Sequence, residues 1–472
     1  MARQQGLGGE PDHRIVILGG GFGGIYTALG LERGLRPEDR TEVTLINNEN
    51  FFLFTPMLCE VASSQIDTSH AINPIRRMFE HTRFVEGEAV SLDPARRCVS
   101  VRHPNGEEYD YPYDHLVVAL GARTGFFGMR DVQDNALTAK TLGDAIHMRN
   151  WVIQMLETAD TERDGANRAR LLTFVIAGGG FTGVEIAGEI NDLVRQSLPS
   201  YPRITQRDVR VILVEAKERL LPEFDEKLAA YTANTLKGIG VELMLGTSVA
   251  GATPDEVRLK GKDPIPTRSL IWTTGVSPNP FVGANPIAKD GKGWITVDAH
   301  MRVPGMPGVW ALGDCARIPD ILNPGHFHPS LAQHAIREGA QLAHNIAASI
   351  RGEPTRPFRY RSLGQMATLG HFKGVGSLGP KPFTIRVSGF IAWAIWRTYY
   401  LWRLPRLEKR LRVATDWTVD MLFGRDISQI QTYQASRAGE RQEDEMSGKH
   451  PQSSRPPEAV AAGRPSGSDD KN

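Results

Sequence analysis

The 472-residue chain is predicted to be an α/β protein built on parallel sheets. Between its two ends, short β-rich runs alternate with longer helical patterns, the signature of that class. Several of those runs are unbroken apolar stretches, as expected of strands covered on both faces. A strand–glycine–helix–strand pattern is also written twice, so a unit has been duplicated. Charged residues at 23% and hydrophobic ones at 40% fit a folded chain.

Residues 1–12 and 435–472 are rich in Ser, Pro, Gly and charge and read as disordered ends. The first strand is expected over 14–18, followed by a glycine cluster, a helix near 23–33 and a strand over 42–46. Another apolar strand over 115–120 ends near a glycine. The polar stretch 157–170 reads as a linker. The pattern then repeats, with strands over 172–177 and 209–214 flanking a helix over 183–195. Strands over 270–273 and 308–312 follow, the latter running into Gly313-Asp314. Residues 388–403 are dense in aromatics, and 404–423 alternate basic and apolar positions at helical spacing. Together they read as a separate C-terminal element.

Several functions are excluded at this level. Lys plus Arg number 55 against 54 Asp plus Glu, so the chain is not a general polyanion binder, and any membrane or polyanion contact must come from a local patch. Its three cysteines, Cys59, Cys98 and Cys315, form no CxxC pair, which argues against disulfide redox chemistry. The scattered histidines form no ligand cluster, and no metal site is expected. No secretory signal or spanning apolar run is read.

The two glycine clusters carry the chemistry. Gly19-Gly-Gly21-Phe22-Gly23-Gly24 and Gly178-Gly-Gly180-Phe-Thr-Gly183 both match GxGxxG between a strand and a helix. The first glycine makes the turn, the second admits a pyrophosphate, and the third lets helix and strand pack closely. Ligand charge then meets the free N–H groups of the helix start. Two such loops imply two dinucleotides, and the natural pair for hydride traffic is a flavin and a nicotinamide. At the end of each following strand a ribose-binding group is expected. After the second loop it is Glu215, whose charge favours NADH over NADPH. After the first it is Asn47, which can still hydrogen-bond a hydroxyl.

With further motifs at 50–58, 119–122, 177–189, 273–276, 311–316 and 332–346, and RDISQI at 425–430, the chain resembles the type II NADH dehydrogenases. These are single-subunit, membrane-peripheral flavoproteins that reduce quinone without pumping protons. The resemblance implies two Rossmann-like domains, a discontinuous FAD domain (13–165 and 290–385) and an inserted NADH domain (166–289). A membrane-associating helical element would follow at 386–434. It places Thr55, Ala119, Gly121, Gly313, Asp314 and Ala332 along the FAD and Thr274 and Gly275 on the nicotinamide side. Glu185 is expected where flavin, nicotinamide and quinone converge, tuning the pocket or relaying a proton. Gln333 can offer its amide to a quinone carbonyl.

A quinone with an isoprenoid tail stays in lipid, so such an enzyme must reach the bilayer. Phe390, Trp393, Trp396, Tyr399 and Trp402 are spaced by three and suit a membrane interface. Leu404, Leu407, Leu411 and Ala414 follow helical spacing, with Arg403, Arg406, Lys409, Arg410 and Arg412 expected on the opposite side. Membrane lipid through 388–423, a homodimer and a position on the cytoplasmic, NADH-containing face of the cell membrane are expected. The competing readings are a ferredoxin- or rubredoxin-reductase-like flavoprotein, or a flavin-bearing protein whose redox state controls partner binding.

Overall fold

The computed structural model describes residues 11–380 and 383–430. The ends expected to be disordered, 1–12 and 435–472, lie outside them apart from residues 11 and 12.

Two five-stranded parallel sheets carry the fold. The first runs in the order Val309–Ala311, His115–Val118, His13–Leu18, Thr41–Asn47 and Arg83–Glu86. The second runs Ala136–Thr138, Ser269–Trp272, Thr173–Ala177, Arg210–Val214 and Val241–Met244. In each, the strand that precedes a glycine loop is central. Ile15, Ile17, Phe174, Val175 and Ile176 are fully buried there, which is why those strands read as uninterrupted apolar runs. Residues 13–165 contribute strands to both sheets, and Val309–Ala311 returns to the first sheet after the second is complete. An antiparallel pair, Ala122–Thr124 with Val276–Pro278, joins the crossings between them.

The expected linker at 157–170 is mostly helical. The helix Leu142–Thr161 runs into it, and Asp164 caps the helix Gly165–Leu171 by accepting from the Asn167 N–H at 2.6 Å. The polar residues there form a solvent face, while Met155, Leu156, Ala159 and Leu171 face the core. A window of mostly polar residues hides a helix when the apolar positions fall three or four apart.

The helix Ala332–Ile350 lies directly on the first loop's helix, Phe22–Gly34. A Cβ on Gly339 would sit 2.8 Å from the Gly23 carbonyl oxygen, and one on Gly30 2.6 Å from Ala343 Cβ. Glycine at both positions lets the two helices pack closely, and Ala332 and Gln333 at the start of the second one line the cavity described below.

A three-stranded antiparallel sheet (Gly364–Thr368, Gly374–Leu378, Ile385–Ser388) leads into the helices Gly389–Arg403 and Leu407–Phe423. These helices fold back onto the body through Trp396, Leu404, Val413 and Trp417, all buried. Two expectations change here. Trp396 is 1% exposed and packs on Tyr400 at 4.6 Å between ring centroids, so the row of five aromatics does not present one outward face. A spacing of three drifts around a 3.6-residue helix and carries its middle member inward. Lys409 is also buried, its Nζ donating to the Ser69 carbonyl at 2.6 Å.

Candidate active site

The two glycine loops have the same geometry, and each glycine has a separate reason to lack a side chain. Gly19 and Gly178 hold φ values of +106° and +115°, a region L side chains avoid. A Cβ on Gly24 would lie 1.9 Å from the Gly19 carbonyl oxygen, and one on Gly183 1.8 Å from that of Gly178. Neither helix could then approach its strand. Gly21 and Gly180 differ: a Cβ at either would meet nothing within 4 Å. Both are helix N-caps with no side-chain cap, so no side chain satisfies the first-turn N–H groups and the space beside each glycine is open. That is a cradle for a bound anion.

The strand-end residues have a task that spacing alone did not show. Asn47 Oδ1 accepts from the Gly20 N–H at 2.7 Å, and Glu215 Oε2 accepts from the Gly179 N–H at 2.5 Å. Each fixes the middle of its own loop. An amide oxygen suffices for this, which accounts for Asn47 in place of an acid. Glu215 also accepts from the Lys217 N–H at 2.8 Å.

Between the cradles lies a cavity of about 560 Å3, within the usual range for ligand sites. Phe22, Thr55, Glu185, Asp314, Ala332 and Gln333 line it together, although 311 residues of sequence separate the first from the last. Gly121, Gly275 and Gly313 make positive-φ turns. Ala119 packs beside Gly19 and Gly23, and Thr274 beside Gly178. The Gly313 N–H donates to Glu338 Oε2 at 2.9 Å, and Asp314 pairs with Lys140 at 3.6 Å. Burial pushes the Glu338 carboxyl up to about 8. Sequence reading passed over Glu338; its place one turn beyond His334, on the helix face toward Gly313, is the signal that could have found it.

Glu185 enters the cavity from the second loop's helix, Phe181–Ser197, and accepts from the Thr368 N–H at 3.2 Å. Burial, reinforced by Glu189 and Glu60 nearby, pushes its carboxyl up to about 8. It therefore holds a proton at neutral pH. Glu60 lies behind it and is pushed to about 8 chiefly by burial. Gln333 borders the cavity with its amide engaged: Nε2 donates to Gly364 O at 3.1 Å and Ser362 Oγ at 3.3 Å, and Oε1 accepts from Tyr360 at 2.9 Å. Cys59 is another wall residue, a thiol held well above its ordinary range by burial.

Residues 13–339 match the pyridine nucleotide-disulphide oxidoreductase family, and residues 363–426 match the NDH2 C-terminal domain. Two cradles opening on one cavity are the site expected of that first class. A probable NADH dehydrogenase of Dictyostelium discoideum is 32% identical over 425 residues, covering 88% of this chain and 91% of that protein. The type II NADH:quinone oxidoreductase Ndh of Mycobacterium tuberculosis is 32% identical over 442 residues, covering 90% and 92%. The chain belongs to the type II NADH:quinone oxidoreductase family. Its fold is shared by NDH2 of Plasmodium falciparum, solved in complex with NADH, with a TM-score of 0.80 at 19% identity over 88% of this chain and 99% of that one.

Proposed function

We propose that this protein oxidises NADH and delivers two electrons to a membrane quinone through an FAD held in the first cradle, without pumping protons. The observation that carries the reading is the pair of equivalent cradles converging on a cavity that the Glu185 carboxyl also lines. The residues present fit FAD: Gly21 leaves room where a pyrophosphate would lie, the first-turn N–H groups of Phe22–Gly34 are uncapped, and Thr55 and Asp314 border the adjoining cavity. We assign Gly19, Gly23, Gly24, Asn47, Ala119, Gly121, Gly313 and Ala332 to the same FAD site. Bound there, FAD supplies the two-electron chemistry between NADH and quinone.

The chain's own groups place and protonate the reactants. Gly178, Gly180 and Gly183 receive the NADH pyrophosphate, Glu215 the adenosine ribose, and Thr274 and Gly275 the nicotinamide side. Glu185 holds the proton that a reduced quinone oxygen needs. Gln333, braced by Tyr360, Ser362 and Gly364, shapes the quinone end and can reach a quinone carbonyl only by giving up one of those bonds. Steady-state turnover of NADH with a soluble quinone analogue tests the activity. Quinone-dependent oxidation is expected; its absence would leave only a flavin-bearing binding protein.

No helix among the described residues is long and apolar enough to cross a membrane. The two C-terminal helices instead expose apolar side chains, including Trp402, Leu407, Leu411, Leu422 and Phe423, the last 83% exposed. Leu407, Leu411 and Leu422 fall within about 60° on one helix face, with Arg412 to one side and Arg410 to the other. This face is assigned to the lipid interface on the NADH-containing, cytoplasmic side of the cell membrane. A homodimer formed through the same element is compatible with it. Truncation at 388 is a poor test, because it would remove the buried Trp396, Trp417 and Asp420. Replacing Leu411 and Leu422 together by Glu changes only exposed positions. That variant should keep its flavin and soluble-quinone turnover and lose co-sedimentation with anionic liposomes. Undiminished sedimentation would remove this face from the membrane contact.

A further inference from the structure

One cation on the cavity wall has no task in the reaction described above. The charged side chains that line the cavity are Lys140, Glu185, Asp314 and Arg403. Glu185 holds a proton at neutral pH, and Arg403 ends the C-terminal helix Gly389–Arg403. Lys140 comes from elsewhere. It lies between the strand Ala136–Thr138, at the edge of the second sheet, and the helix Leu142–Thr161. Asp314 comes from the turn that follows Val309–Ala311, the edge strand of the first sheet. The two meet on the cavity wall, with Lys140 Nζ 3.6 Å from Asp314 Oδ2.

The backbone at Lys140 is fixed. Thr141 caps the helix by accepting from the Asp144 N–H at 3.1 Å. Asp144 Oδ2 accepts in return from the Thr141 N–H at 3.0 Å and the Lys140 N–H at 2.8 Å. This reciprocal box sets where the Lys140 side chain starts. Its far end is held less tightly. A separation of 3.6 Å is within ion-pair range but too long for a hydrogen bond, and the ammonium group makes none among the described residues. Its N–H donors are therefore unused on the wall of a ligand cavity.

Charge arithmetic gives those donors a use. A hydride carries two electrons and one proton, so a neutral flavin that accepts it gains one negative charge, and NADH leaves as NAD+. That charge arises in a cavity where Asp314, part of the FAD site read above, already places a carboxylate. Like charges oppose each other, and more strongly once a ligand displaces the water between them. We propose that Lys140 sets the reduction potential of the bound FAD by cancelling the Asp314 carboxylate and compensating the charge that hydride transfer leaves on the flavin. Lys140 neither gives nor takes a proton in this step, and no further reactant is needed. Reoxidation by quinone removes two electrons and one proton, and with them the charge. The proposal rests on the reading of the first cradle as an FAD site.

The test uses the intact FAD-loaded enzyme and Lys140→Met, which keeps the length of the side chain and removes its charge. Anaerobic titration against reference dyes at pH 7 gives the midpoint potential. The variant should lie about 30 mV below wild type, equivalent to a tenfold loss in the equilibrium constant for two-electron reduction. Lys140→Arg should return the potential close to the wild-type value. In stopped flow, reduction of the flavin by NADH should slow in Lys140→Met, while reoxidation by a soluble quinone should not. A pair that only tied the two sheets together would slow both half-reactions and leave the potential where it was. An unchanged potential in Lys140→Met, or loss of FAD from it, would overturn the proposal. A potential as low in Lys140→Arg as in Lys140→Met would do the same. Wild-type protein that took up no FAD would instead remove the reading of the cradle, and this proposal with it.

Discussion

A Gly180→Val enzyme should fold, remain yellow and require at least about tenfold more NADH, a change equivalent to about 1.4 kcal/mol. The reason is geometric. Gly180 sits at φ −77°, a conformation valine adopts freely, and its Cβ direction meets no protein atom within 4 Å. Folding therefore gives no reason for glycine there; a ligand does. The isopropyl group would occupy the space through which a pyrophosphate reaches the helix N–H groups. Gly21→Val makes the same test of the first cradle and should yield folded, colourless protein. Gly183→Ala is the contrasting case: its methyl group would strike the Gly178 carbonyl, so the helix itself would be displaced. Steady-state KM for NADH, flavin absorbance and circular dichroism separate the three outcomes. A Gly180→Val enzyme with an unchanged KM would show that NADH does not use this loop.

Glu185→Gln should slow reoxidation of the flavin by quinone by about a hundredfold, the scale of a lost general acid, and leave its reduction by NADH nearly intact. Glutamine keeps the shape and still accepts from the Thr368 N–H, but it has no proton to give. The pH profile supplies a second sign. Burial holds the Glu185 carboxyl near 8, so the acid form dominates below that pH. Wild-type reoxidation should be flat up to about pH 8 and fall above it, and the variant should lose that inflection. Equal losses in both half-reactions would point to a disturbed cavity rather than a missing proton.

What the sequence revealed, and what it hid, follows from contact range. The cradles were legible because each is a local backbone device: Gly19 and Gly178 turn at positive φ, and Gly24 and Gly183 pack on the carbonyls of those same residues. The central strands were legible because burial on both faces leaves no polar position. The placing of Glu185 and Asp314 in one cavity came from family resemblance; no local pattern joins them. Long-range buried pairs were hidden for the same reason. Arg425 meets Glu189 across 236 residues, and Gln65 meets Asp420 across 355. Lys409 and Trp396 looked like surface groups because helical spacing shows which residues share a face, not which face turns inward. The helices within 157–170 were not legible because their polar residues form the outer side.

The central claim is that two phosphate cradles hold an FAD and an NADH across one cavity. Anaerobic titration of the purified yellow protein with NADH, followed by a quinone analogue, tests it most directly. NADH should bleach the flavin band and the quinone should restore it. Protein that stays colourless after incubation with FAD, or a flavin band that NADH leaves untouched, would contradict the claim.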